Sequence, residues 1–448
     1  MSRITGKDRT VVTNEPITVI GGGLAGSEAA YQIARQGERV RLYEMRPATQ
    51  TPAHRTDRLA EIVCSNSLKS DQPYSASWLL KEELRRLGSL LIQVADSVRV
   101  PAGSALAVDR EAFAARVTEI ISGNPNIELI RKEVAEIPNT GIVVIASGPL
   151  TSEPLSQSIR DFCGAEHLYF YDAISPIVDA GTIDYSKVYR ASRYGKAESD
   201  YLNCPMDRRQ YDAFYDALVA ADSVAIHEFE EAHYFESCLP IEELARRGRD
   251  TLRFGPMRPV GLTDPVTGRM PHAVVQLRQE DRMQSSYNMV GFQNHLKFAE
   301  QKRIFRMIPG LEHADFLRLG QIHRNTYINA PQTLTAAMAA RRDPRIFFAG
   351  QLAGTEGYIE NIASGLVAGI NAARMRRGEP PVEFPPETAI GALCRYVSTP
   401  QKHFAPMNIN FGLFPVMDVP RRIAKDDKQR LLCERALELC RSVSTLMV

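Results

Sequence analysis

The sequence predicts an α/β fold: a discontinuous nucleotide-binding domain of parallel strands and helices, interrupted by an inserted α/β domain. Three observations predict it. A short apolar strand, Ile17 to Ile20, runs into Gly21-Gly22-Gly23-Leu24-Ala25-Gly26 and an Ala-rich helix. More than 300 positions later, Arg345 to Tyr358 is again an apolar strand entering a glycine turn, with Gly350, Gly354 and Gly357. Between the two, from about residue 160 to 315, the texture changes, and aromatic residues and Pro–Gly turns multiply.

The first element carries the most information. Gly21 permits a tight turn, Gly23 lets a pyrophosphate approach the backbone, and Gly26 lets helix and strand pack closely. A helix is expected over Ser27 to Gln36, and its N-terminus offers unpaired N–H groups and a positive dipole end to that pyrophosphate. Gly22, Leu24 and Ala25 belong to the same turn. A second strand, Val40 to Tyr43, ends at Glu44, eighteen positions after Gly26, where a carboxylate can accept hydrogen bonds from a ribose. Strand, glycine turn, helix and acid in this order are the Rossmann fingerprint in its proper setting.

Arg46 to Ala60, rich in Pro, Thr and Arg, reads as a loop, followed by Glu61-Ile-Val-Cys-Ser-Asn-Ser67. Apolar spacing predicts a helix over Ser75 to Ala95. Asp109 is placed to cap another through Ile121. Ile127 to Ile130 reads as a strand, and Gly141 to Pro149 as a buried strand ending in a small-residue turn. In the middle region Ala273 to Leu277 and Tyr287 to Phe292 read as strands. Ile362 to Arg374 reads as a helix with a small face of Ala363, Gly365, Ala368, Gly369 and Ala372. The expected organisation is an N-terminal extension over 1–15, a nucleotide domain from 16–155 and 320–448, and an inserted substrate domain over 156–319.

The second glycine turn decides the cofactor. One element at the start of the chain and another far downstream suit FAD, a long molecule held at both ends. Gly350, Gln351, Gly354 and Gly357 are therefore candidate cofactor-binding residues, and Tyr358 a candidate for stacking on the flavin.

Bulk composition narrows the class. A chain of 448 residues exceeds one ordinary core. Hydrophobic residues at 44% and charged residues at 24% read as soluble and globular. A net charge of +1 neither requires nor excludes a polyanionic partner. No apolar run approaches the roughly 18 residues of a membrane span, and the polar first fifteen residues lack a secretory core. The seven cysteines are odd in number and form no C-x-x-C pair, which argues against a disulfide framework and against a metal site. Reduced thiols in a cytoplasmic protein are the expectation.

Six segments occur in a telling order: Gly21 to Gly26, Ile62-Val-Cys64-Ser-Asn-Ser67, Phe235-Glu-Ser-Cys238-Leu-Pro-Ile-Glu242, Gly255-Pro-Met-Arg-Pro-Val-Gly-Leu262, Phe348 to Tyr358, and Pro406-Met-Asn-Ile-Asn-Phe-Gly-Leu413. Together, from about Pro16 to Leu432, they resemble the folate- and FAD-dependent tRNA (uracil-5-)-methyltransferases. A related flavoprotein, MnmG, shares the glycine-rich start and the Ala-Gly-Gln turn but is longer at its C-terminus. The resemblance implies a discontinuous FAD domain of the GR2 and MnmG kind. It implies transfer of the methylene carbon of 5,10-methylenetetrahydrofolate to C5 of a T-loop uridine in tRNA, with reduced FAD as reductant and carrier and NADH or NADPH as electron source.

The resemblance makes Cys238 the nucleophile and Cys64 a second active-site thiol. The chemistry suits thiols. Uracil C5 is a poor nucleophile until a thiolate adds at C6 and converts the ring to an enolate. Glu236 would not lower the pKa of Cys238, so the activating cation is expected from elsewhere in the fold, with Arg258 or Lys297 as candidates. Cys64 is expected to remove the C5 proton or shield the one-carbon unit, while Ser65-Asn66-Ser67 also suits a helix start. The loop Asn408 to Leu413 is expected to line the same pocket. RNA contacts are expected from Arg246, Arg247 and Arg249; Arg341, Arg342 and Arg345; Arg374, Arg376 and Arg377; or Arg421, Arg422 and Lys425. Other readings fit the same residues: this chemistry on ribosomal RNA, a wobble-uridine enzyme like MnmG, a small-molecule FAD oxidoreductase, or a non-catalytic protein binding flavin and RNA. Oligomeric state is left open.

Overall fold

A computed structural model describes residues 15–164, 168–195, 200–224, 239–402, 404–418 and 423–444. Its centre is a five-stranded sheet in the order Ile346–Phe348, Val143–Ile145, Ile17–Ile20, Val40–Tyr43, Ile127–Ile130. Every pairing is parallel. Val143–Ile145 and Ile346–Phe348 are buried along their whole length and read as unbroken apolar runs, whereas Val40–Tyr43 and Ile127–Ile130 carry the exposed Arg41 and Glu128. Ile20 pairs with Tyr43 and with Ile145, and Ile145 with Phe348, so these strands end level. Gly21, Glu44, Ala146 and the Gly350 turn therefore emerge together at the carboxyl edge, where ligands bind in open α/β sheets.

The first helix is Leu24–Arg35, beginning three residues before the expected Ser27. The fingerprint glycine is thus inside the first turn: a Cβ on Gly26 would lie 1.8 Å from the Gly21 carbonyl oxygen. The helix expected over Ile362 to Arg374 is longer, Tyr358–Arg376. It crosses the first helix at its glycines. A Cβ on Gly365 would lie 2.2 Å from the Ala25 oxygen, and one on Gly369 would lie 2.6 Å from the Ala29 oxygen. The small face read from the sequence is a backbone-to-backbone contact.

The single helix expected over Ser75 to Ala95 is two, Ala76–Arg86 and Leu90–Ser97. Gly88 takes φ +75°, and the Ser89 side chain accepts from the Ile92 N–H to start the second helix. Asp109 caps Arg110–Ser122 as expected, accepting from Ala112 N–H. Ser65-Asn66-Ser67 starts no helix. It enters the strand Ser67–Ser70, which joins Ala105–Val108 and Arg99–Val100 in a small antiparallel sheet.

The middle of the chain forms a separate six-stranded sheet in the order Tyr189–Arg190, Tyr201–Met206, Ala273–Gln279, Ser286–Met289, Ile177–Asp179, Phe316–Arg318. The strand expected to reach Phe292 stops at Met289, before a turn in which Gly291 takes φ +78°. Leu168–Ala173 and Ile322–Tyr327 run antiparallel to each other, one leading out to this sheet and one returning. The hydrophobic core divides accordingly. One large cluster unites residues from Ile17 to Ile159 and Ile328 to Val443, and a second is drawn from Val178 to Ala314. The α/β class with a Rossmann-type parallel sheet is the one the sequence predicts.

Candidate active site

A cavity opens at the carboxyl edge of the parallel sheet. Gly21, Gly22, Gly23, Leu24, Ala25, Glu44, Gly350, Gln351 and Tyr358 all line it. Gly26, Gly354 and Gly357 do not. Gly26 packs on Gly21, Gly354 lies against the Phe404 ring, and Gly357 sits over Lys69 and Glu360. The opposite wall is Ala146 to Ser152.

The cavity fits a dinucleotide on two counts. The first helix opens on it with no side-chain cap and no acidic residue in its first turn, leaving its N–H groups and dipole for an anion. A Cβ on Gly23 would meet nothing within 4 Å, so the backbone is open to a ligand there.

Glu44 is buried, and its carboxylate is fully engaged. Oε2 accepts from Gly22 N–H at 3.0 Å and from Arg46 Nη2 at 3.2 Å. Oε1 accepts from Arg46 N–H at 3.0 Å and Arg46 Nε at 2.9 Å. Burial opposes the charge, but the Arg46 guanidinium and the two backbone N–H groups outweigh it and hold the carboxyl below the usual range. Arg46, itself only 2% exposed, also pairs with Glu61 at 3.0 Å. A ribose reaching Glu44 must share or replace one of these four bonds, since a carboxylate offers about four acceptor positions.

Cys64 lies half-buried beside this cavity, next to Val63 in its lining. The Tyr358 hydroxyl accepts from Cys64 N–H at 2.8 Å and from Ser65 N–H at 3.2 Å. One side chain of the second glycine turn thus holds the thiol loop. Burial first, then the neighbouring Cys64, pushes the Tyr358 hydroxyl pKa above its ordinary value, so it stays neutral and free to accept.

Three arginines that the sequence reading passed over grip the same loop. Arg110 Nη1 donates to the Ile62 and Val63 carbonyls at 3.0 and 3.1 Å, and its guanidinium pairs with Glu280. Arg318 Nη1 donates to the Val63 carbonyl at 2.6 Å. Arg278 donates to Asn66 Oδ1 at 2.8 Å and Ser65 Oγ at 2.5 Å. Burial and the nearby Arg110 push Arg318 down to about 10, which leaves it cationic near neutral pH. Arg278 had a signal in the sequence: a charge inside the apolar strand Ala273–Gln279.

The expected nucleophile, Cys238, lies outside the described residues. The chain resumes at Leu239, and Glu242 there accepts His295 N–H at 2.8 Å. The loop Asn408 to Leu413 does not line the cavity as expected. It docks behind the second glycine turn, where Asn408 Oδ1 accepts from Lys69 Nζ and Glu360 Oε1 accepts from Ile409 N–H at 2.9 Å. Asn410 stays within the loop, accepting from Gly412 N–H and donating to the Asn408 carbonyl, both at 2.9 Å.

The arginine clusters expected to meet RNA are largely engaged within the chain. Arg246 pairs with Glu243, Arg249 with Asp212 and Asp216, Arg345 with Asp343, Arg374 and Arg377 with Glu379, and Arg376 with Glu38. Arg341 and Arg342 donate to backbone carbonyls. Arg421 and Arg422 lie outside the described residues. Among the described residues no group of acidic, Cys or His side chains could hold a metal, and no helix is long and apolar enough to cross a membrane.

Comparison with known proteins agrees with this geometry. The family model for glucose inhibited division protein A matches residues 16–380. The structure of Aquifex aeolicus GidA superposes with a TM-score of 0.69 at 18% identity, covering 98% of this chain and 75% of that one, a likeness of fold. Relatives from Solibacter usitatus, Geobacter sulfurreducens and Bacillus licheniformis, each named methylenetetrahydrofolate–tRNA-(uracil-5-)-methyltransferase TrmFO, are 58%, 57% and 54% identical. The matches cover 95%, 94% and 96% of this chain and 98%, 97% and 99% of those relatives. With that identity along nearly its whole length, and with the thiol loop fastened to a dinucleotide cavity, the chain belongs to the TrmFO family within the wider GidA group.

Proposed function

We propose that the protein methylates C5 of a T-loop uridine in tRNA, taking the carbon from 5,10-methylenetetrahydrofolate. The observation that carries the reading is the junction of the second glycine turn with the thiol loop, where the Tyr358 hydroxyl holds the backbone of Cys64 beside the cavity. A small-molecule oxidoreductase has no need of that thiol.

FAD is the group the cavity would hold. The Gly21–Ala25 turn and the first helix would take its pyrophosphate, Glu44 its ribose, and Gly350, Gln351 and Tyr358 the flavin end. Bound and reduced by NADH or NADPH, it supplies the one-carbon carrier and the hydride that completes the methyl group. The chain's own part is covalent and positional. The Cys238 thiolate adds to C6 of uracil, and the electron pair of the C5–C6 double bond moves onto the ring as an enolate. C5 then attacks the one-carbon unit. Cys64, held in place by Tyr358, takes the C5 proton, and the electrons of that bond form an exocyclic C5 methylene as the one-carbon unit's bond to its carrier breaks; addition of a hydride to that methylene carbon then sends electrons back through the ring and expels the Cys238 thiolate. Arg110 and Arg318 fix the backbone on the other side of Cys64 through the Ile62 and Val63 carbonyls.

We assign residues 16–155 and 320–448 to the FAD domain and 156–319 to the substrate domain, which the two hydrophobic clusters support. The tRNA substrate puts the reaction in the cytoplasm. The test is incorporation of label from methylenetetrahydrofolate into RNA by the reduced flavoprotein, followed by nucleoside mapping. Label in the tRNA T-loop is expected. Label in ribosomal RNA, or none, overturns the reading. Cys238→Ala is expected to abolish transfer and to prevent covalent trapping by 5-fluorouridine RNA. Full activity of that variant would remove Cys238 from the mechanism.

A further inference from the structure

A line of cationic side chains leads away from the thiol loop along one face of the strand Ala273–Gln279. Gln276 and Arg278 stand two apart and share that face. Arg278 reaches Ser65 and Asn66. Gln276 Oε1 accepts from Arg193 Nε at 3.1 Å, and Arg193 Nη1 donates to the Val260 carbonyl at 3.0 Å. Beyond it Arg258 Nη2 lies 3.5 Å from the Tyr194 hydroxyl.

These arginines differ from others of the middle region. Arg246, Arg249, Arg253 and Arg303 each have a carboxylate partner. Among the described residues no carboxylate lies within ion-pair distance of Arg193, Arg258 or Arg278. Burial first, then the charge of Arg258, pushes the Arg193 pKa below its ordinary value. The folded chain tolerates this repulsion without a counter-charge of its own.

Tyr194, between the two outer arginines, is 58% exposed. Its φ of 62° lies in the left-handed region that non-glycine residues avoid. Its N–H donates to the Gly261 carbonyl at 2.9 Å, and a Cβ on Gly261 would lie 2.9 Å from the ring. The segment Gly255 to Leu262 lines no part of the cavity. It seats this tyrosine, and it leaves Val260 exposed beside it. Uncompensated guanidinium groups flanking a propped-up aromatic ring match a polyanion with stackable bases. Loop RNA is recognised through such phosphate and stacking contacts.

We propose that Arg193 and Arg258 form a track for the phosphate backbone of the RNA strand flanking the target uridine, with the buried Arg278 joining that track to the thiol loop and a neighbouring base stacked on Tyr194. The proposal rests on the RNA-methylating reading above. It is tested by fluorescence anisotropy with a labelled tRNA transcript, titrated with salt, on the FAD-loaded full chain. Arg193→Ala and Arg258→Ala are each expected to flatten the plot of log affinity against log salt by about 0.7, the contribution of one contact to a single-stranded phosphate. Tyr194→Ala is expected to weaken binding about 5- to 150-fold, and Tyr194→Phe to restore it. Reduction of the bound flavin by NAD(P)H is expected to be unchanged in all four, which also reports that they are folded. If wild type binds tRNA while Arg193→Ala, Arg258→Ala and Tyr194→Ala all keep its affinity and salt slope, the track is wrong and the functional reading stands. If wild type binds no tRNA, both fall.

Discussion

Replacing Gly365 by alanine tests how the two ends of the nucleotide domain are joined. In an exposed helix the change would stabilise by about 1 kcal/mol, because alanine is the better helix former. Here the new Cβ would lie 2.2 Å from the Ala25 carbonyl oxygen and 2.8 Å from its Cα and carbonyl carbon. An unstrained carbon–oxygen contact is about 3.3 Å or more, so the helices must part by roughly 1 Å. Both sides of the contact are backbone, and no rotamer can relieve it. Overpacking of this kind costs about 1–3 kcal/mol, and the upper half of that range applies. After the propensity gain, a net loss of about 1–2 kcal/mol remains. Ala25 lines the cavity in the first helical turn, so the displacement also moves the N–H groups that face the pyrophosphate. Losing one hydrogen bond to a charged group, about 1.5–3 kcal/mol, weakens FAD binding by about tenfold or more. Denaturant melts of the apoprotein and fluorescence titration with FAD measure the two effects. A variant as stable as wild type or more so, binding FAD equally well, would refute the close helix crossing.

Arg46→Ala leaves Glu44 with two of its four donors and Glu61 without its cation. A loss of about 3–5 kcal/mol is expected in denaturant melts, and Arg46→Lys should rescue little because one ammonium cannot span both carboxylates. Tyr358→Phe removes the acceptor of the Cys64 and Ser65 N–H groups. It should cost about 1–3 kcal/mol and lower kcat for methyl transfer more than it alters the KM for tRNA, while NAD(P)H still reduces the flavin. Glu83, wholly buried, accepts Ala389 and Ile390 N–H at the start of the helix Ala389–Ser398. Burial outweighs those bonds and pushes its carboxyl from 4.5 up to about 8. Such a group holds its proton more tightly when folded, so its penalty is absent below about pH 4.5, grows as pH rises, and is complete above about 8. The stability of wild type relative to Glu83→Gln should therefore fall by up to about 5 kcal/mol across that interval; a difference independent of pH would contradict the buried carboxyl.

Features written locally were legible in the sequence. Gly26 packs on Gly21 five residues away, and Gly21 and Gly350 turn the backbone at positive φ just after an apolar strand, so these turns were readable before the fold. Features written across the chain were not. Asn66 looked like a helix starter because serine and asparagine cap helices, but its amide donates to the Val108 and Gln279 carbonyls at 3.1 and 2.9 Å. The cations around Cys64 sit at positions 110, 278 and 318, and no spacing rule connects them to residue 64. Apolar periodicity ran unbroken through Gly88 and Ser89, because both helices there bury the same side against one core. The loop Asn408 to Leu413 was rightly seen as polar, but its partners Lys69 and Glu360 turn it toward the back of the glycine turn rather than into the cavity.

The contact of Gly369 with Ala29 joins points some 340 residues apart in the chain. During synthesis the fingerprint strand and its helix emerge early, yet Val143–Ile145 beside it and the edge strand Ile346–Phe348 complete the sheet only later. At about 5–20 residues per second the first helix waits roughly 15–70 s for the helix that covers it. Throughout that interval its alanine face is open to water and to other chains. The nucleotide site, first to be written in the sequence, is among the last parts of the molecule to be finished.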